Sequence, residues 1–142
     1  MSATITQAVL AKFAASGQAE FSKLWFDELP ENQTLPFVGF FHEGEAPEYT
    51  FEGGYKEEGS FSFQVNAVGI AETERLALVV MAIYDACIVN PVAAFSIVGQ
   101  KVFAWRRKDY KISSAQYRPE SGDLVGEATF GYEYSVNKQL PT

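Results

Sequence analysis

The stretch that decides the fold is Gly59–Val89, GSFSFQVNAVGIAETERLALVVMAIYDACIV. From Ser60 to Val68 apolar and polar residues alternate: Phe61, Phe63, Val65 and Ala67 against Ser62, Gln64 and Asn66. A period of two is that of a strand with one buried and one wet face. Gly69 breaks the alternation, and the period changes to that of a helix. Glu72 and Glu74 suit the positive end of a helix dipole. Leu76, Val79, Val80, Ile83 and Cys87 are read as its core stripe, with Leu78, Met81 and Val89 extending the apolar surface beyond one stripe. Asn90-Pro91 is expected to stop the helix. A helix apolar nearly all round needs cover, from the sheet on one side and another subunit on the other.

Working outward, Ile5–Phe13 has apolar residues at helical spacing, with Thr4 or Ser2 as a cap and Gly17 as an end signal. Glu20–Leu29 reads ambiguously as a strand. Leu35–Phe41 is a short strand apolar on both faces. Glu43–Gly59 holds four Gly, one Pro and six Glu against one Lys, and is read as loop. Phe95–Ala104 and Tyr110–Arg118 are separate strand candidates. Leu124–Val136 alternates, with Leu124, Ala128, Phe130, Tyr132, Tyr134 and Val136 expected on one face. The order α-β-β-β-α-β-β-β predicts one α+β domain over residues 1–142, an antiparallel or mixed sheet with two helices on one face.

The composition narrows the classes of function. The 142 residues are 47% hydrophobic and 15% aromatic, enough for a core without staples. One cysteine, Cys87, allows no intrachain disulfide and fits a reducing compartment. The formal charge of −7 argues against general adhesion to nucleic acid or anionic lipid. The N-terminus lacks the basic and long apolar regions of a signal peptide, and the run Leu76–Val89 is too short to span a bilayer. A soluble product made in the cytoplasm is expected.

Chemical motifs are missing. Gly53-Gly54-Tyr55-Lys56 fits no phosphate-loop frame, and Glu52, Glu57 and Glu58 beside it would repel a phosphate. The carboxylates of that segment, flanked by glycine, are read as solvated rather than as an acid/base pair. His42 is the sole histidine, so a zinc site or a Cys87–His42 pair has too little support. No catalytic residue, cofactor or metal is expected. The basic segment Lys101–Lys111 interleaves Arg106, Arg107, Lys108 and Lys111 with Phe103, Trp105 and Tyr110. Three readings stay open for it: a solvated strand face, a subunit contact with a neighbour's acidic segment, or a nucleic-acid surface.

The order of features resembles the small tail-completion proteins of tailed bacteriophages, which include tail terminators. The resemblance runs roughly from Ile5 to Val136. It rests on an N-terminal helix, LPFVGF (Leu35–Phe40), the acidic gap, GSFSFQVNAVG, a helix opening AETERLALVV, and a closing EATFGYEYSV. Pro91–Ser114 fits the pattern least. The resemblance implies a virion protein without catalysis, forming a ring, often a hexamer, that caps the tail tube and joins it to the head-neck connector. DNA would pass through without specific binding, and no membrane would be involved. It makes Glu43, Glu45, Glu48, Glu52, Glu57 and Glu58 a candidate lumen or partner-contact loop, and Arg106, Arg107, Lys108 and Lys111 a candidate subunit contact. Alternatives are a head-closure or other minor tail protein, or a non-viral α+β module binding a small ligand.

Overall fold

The computed structural model of the chain describes residues 5–21, 24–27, 35–49, 54–97, 99–118 and 123–139. Elements follow the order α1 (Ile5–Ala15), β1 (Leu24–Phe26), β2 (Phe37–Tyr49), β3 (Gly54–Val68), α2 (Ile70–Asp85), α3 (Pro91–Ala94), β4 (Ser96–Ile97), β5 (Gln100–Arg107), β6 (Lys111–Arg118) and β7 (Asp123–Gln139). All seven strands belong to one sheet, ordered β1-β2-β3-β7-β5-β4, with β6 also on β7. Only β1–β2 is parallel, so the sheet is mixed and the fold is α+β.

The alternation of β3 puts Phe61, Phe63, Val65 and Ala67 in the core. Register then stacks the core in rows. Phe40, Phe63 and Phe130 lie opposite one another across β2, β3 and β7, and the rings of Phe63 and Phe130 are 5.3 Å apart and nearly parallel. Helix α2 covers these rows with Leu76, Ala77, Val80, Met81 and Tyr84, and Cys87 adds to the core just past its end. Asn90-Pro91 does not stop α2, which ends at Asp85, but opens α3 with Asn90 as its cap. The buried stripe of α2 is rotated from the expected one: Val79 and Ile83 are half-buried, while Thr73 and Tyr84 face in. The reason is the first turn. The Thr73 hydroxyl donates to the Gly69 carbonyl at 2.7 Å, and it sits so close to Gly126 that a Cβ there would lie 2.4 Å from the Thr73 oxygen. That contact fixes the roll of α2 on β7. Helix α1 joins the same core through Ile5, Val9 and Phe13, and the Tyr84 hydroxyl donates to the Val9 carbonyl at 2.8 Å. Gly17 follows the helix with φ +71°, as its reading as an end signal requires.

Three readings are corrected. First, Glu43–Gly59 is not a loop along its length: β2 continues to Tyr49 and β3 begins at Gly54, paired from Glu45↔Gly59 to Tyr49↔Tyr55. The long β7 supplies the partner that decides this, pairing β3 from Gly54↔Gln139 to Val68↔Val125. Second, Leu124 is 54% exposed, because the helix cover ends at Gly126. Third, Phe95–Ala104 is not one strand: β4 ends at Ile97 and pairs antiparallel with the start of β5 through Ser96↔Lys101 and Ile97↔Gln100. Strands β5 and β6 are separate, as read, with one partner in common. Both pair the same side of β7, from Gln100↔Lys138 to Arg107↔Tyr132 and on from Lys111↔Thr129. The Lys108 N–H still donates to the Gly131 carbonyl within the gap. In Glu20–Leu29 only Leu24–Phe26 is strand among the described residues. The proposed caps Ser2 and Thr4 lie outside the described residues.

Candidate assembly surfaces

The six glutamates of the acidic segment do not share one surface. Strand alternation divides them. Glu57 faces the helix side with Phe61 and is only 3% exposed. Glu43 and Glu58 are exposed on the opposite, polar face. Glu45 and Glu48 sit on β2 opposite Gly59 and Lys56, with side chains outside the described residues. Glu52 lies wholly outside them.

The polar face is charge-compensated. The Lys108 ammonium lies 3.7 Å from the Glu43 carboxylate, although β3 and β7 separate their strands. The route is over small residues. The Lys108 stem passes the Gly131 backbone, and Glu43 reaches over Ser60, whose hydroxyl is 3.4 Å from it. Lys56 pairs with Glu58 at 2.8 Å, and that hydrogen bond, with the Lys56 charge, holds the Glu58 carboxyl below its ordinary range. Arg106 donates to Glu133, its cross-strand partner, at 3.2 Å. Three acid–base pairs thus lie across this face among the described residues.

The basic segment is divided by the same alternation. Trp105 is buried, stacked on Tyr132 at 4.9 Å and 10°, and its Nε1–H donates to the Tyr84 carbonyl at 3.1 Å. It is core, not a platform for a nucleobase. Arg107 turns to the helix side, where its Nε lies 3.5 Å from Asp85. The Tyr132 hydroxyl donates to the same carboxylate at 2.8 Å. These contacts latch β5 to α2. Lys111 is exposed and makes no ion pair among the described residues. Of the expected subunit-contact residues, Arg106 and Lys108 are therefore on the polar face and paired there, and Arg107 ties β5 to α2. Asp85, Lys56 and Glu133 were not singled out in the sequence, although the alternation of β7 already placed Glu133 on the outer face.

His42 faces the helix side, stacked on Phe61 with ring centroids 4.7 Å apart, and its Nε2 is 2.6 Å from the Tyr134 hydroxyl. Burial pushes the Cys87 thiol above its ordinary range, which opposes a nucleophilic role. No group of three metal-ligating side chains occurs among the described residues. Nor, among them, is any helix long and apolar enough to cross a membrane. An open groove of about 380 Å³ between α1 and α2 is lined by Lys12, Ala15, Ser16, Ala82 and Ile83. No protein-family model matches the chain, and no curated protein matches it.

Proposed function

We propose that this chain is a structural protein of a phage virion, a tail terminator or tail-completion protein that forms a homo-oligomeric ring. In that role it caps the tail tube, contacts the tube protein and the head-neck connector, and lets DNA pass without specific binding. The observation that carries the reading is the length of the central strands of the sheet compared with that of the helix packed on them. Strand β7 has 17 residues and α2 has 16. At the usual rises these span about 56 Å and about 24 Å. Strands β3 and β7 therefore run farther than α2, with their helix-side face buried as far as Glu57 and Val136, on a scaffold in which no group of three metal-ligating side chains occurs among the described residues. Long paired strands of this kind offer contact surface. The order of elements supports the same reading.

Purified phage tail tubes incubated with the protein and viewed by electron microscopy test it. Density capping one end of the tube is expected. Tubes left bare at both ends, with the protein a monomer holding a small ligand between α1 and α2, would replace the virion reading with a ligand-binding one.

A further inference from the structure

Two rows of strand backbone have no pairing partner among the described residues. One is the outer edge of β2 after Phe40, where β1 stops. The other is the outer edge of β5 and β6 beyond Gln100 and Lys101, which β4 covers. Rows of unpaired N–H and C=O groups are templates for another strand. Their charges are opposite. Phe37–Tyr49 carries Glu43, Glu45 and Glu48 and no Lys or Arg, whereas Gln100–Arg118 carries six of the chain's eleven basic residues and one acid, Asp109. Some of this charge is matched within the chain, by Lys108–Glu43 and Arg106–Glu133. Lys101 and Lys111 are exposed and make no ion pair among the described residues.

Direction agrees with charge. Strands β2, β3, β7 and β5–β6 alternate in sense across the sheet. A second copy added in the same orientation therefore brings its β2 antiparallel to β5–β6 of the first. Like edges would repel, so the contact is head to tail, the kind that closes rings. Pro47 has no N–H to donate and limits the pairable length of β2.

We propose that the β5–β6 edge of one copy docks along the β2 edge of the next, between Phe41 and Ala46, making a sheet continuous from subunit to subunit in the free protein. This rests on the ring-forming reading above and names the surface that builds the ring.

The test uses two variants of the full chain, Glu45→Lys with Glu48→Lys, and Lys101→Glu with Lys111→Glu, followed by sedimentation velocity. Each alone is expected to associate about a hundredfold more weakly than wild type, because the charges on one edge that have no partner within the chain among the described residues are then reversed. An equimolar mixture is expected to regain the wild-type mass, which would also show both chains folded. If either variant fails to fold, Glu45→Gln with Glu48→Gln, expected to weaken association about tenfold, carries the test. Reversed chains that assemble alone like wild type, folded variants whose mixture fails to assemble, or a wild type monomeric at every concentration overturn the edge contact. Tube capping, read separately, decides the ring-forming reading.

Discussion

The two edges of the sheet flank the same central pair, β3 and β7, but are held differently. The basic edge is bolted to the helix layer. Trp105 is buried against Tyr132 and donates to the Tyr84 carbonyl, and Arg107 meets Asp85 at the end of α2. The acidic edge has aromatic anchors only as far as Phe40 and His42, among the described residues. Past the register shift between His42 and Glu45, what is described of β2 is its backbone pairing with β3. The basic edge is thus shaped before it meets a partner.

Trp105→Ala should break the comparison most severely. It removes the bolt of the basic edge and empties a buried aromatic site, at a cost of about 3–5 kcal/mol, read as a fall in the urea midpoint. A loss below about 1 kcal/mol would mean that β5 is held by its ladder alone.

Alkali attacks the same bolt. Burial, reinforced at Tyr132 by the Asp85 hydrogen bond, pushes the Tyr84 and Tyr132 phenols far above their ordinary range. Both stay protonated in the fold while the unfolded chain ionises near pH 10. Their contribution is whole below about pH 10 and declines above it, by up to about 1.4 kcal/mol per pH unit for each phenol. Melting temperature should therefore drop between pH 9 and 11, and Tyr132→Phe should flatten that drop. An unchanged slope in the variant would remove Tyr132 as the alkali-sensitive group.

The smallest effect is expected on the polar face. Arg106→Gln breaks an exposed pair with Glu133, worth less than about 1 kcal/mol and weaker still in salt. A larger loss in thermal melts would show that Arg106 anchors the basic edge, and the contrast drawn with Arg107 would fail.

The strand Ser60–Val68 and the helix after it were legible because each has its own period, and the buried residues Phe61, Phe63, Leu76 and Val80 follow it. The α+β class followed from them. What was hidden depends on distant partners. Gly44, Glu45, Pro47 and Glu48 are poor strand formers, and a ladder anchored on β7, some eighty residues away, makes that segment extended. The gap at Lys108–Tyr110 resembles a turn in sequence, yet the strands on either side of it share β7. The candidate surfaces were half legible for the same reason. Residue types marked an acidic and a basic segment, but only register shows that Glu57 and Arg107 turn inward while Glu43 and Lys108 meet across the polar face.

Hydrogen exchange, followed by mass spectrometry as protein concentration rises, tests the meeting of the two edges most directly. The account predicts that the outward-directed amides of Phe41–Ala46 and of the β5–β6 edge exchange fast in dilute protein and gain protection together as mass increases. Mass that rises while both edges keep exchanging at the dilute rate would contradict it, and would place the subunit contact on another surface.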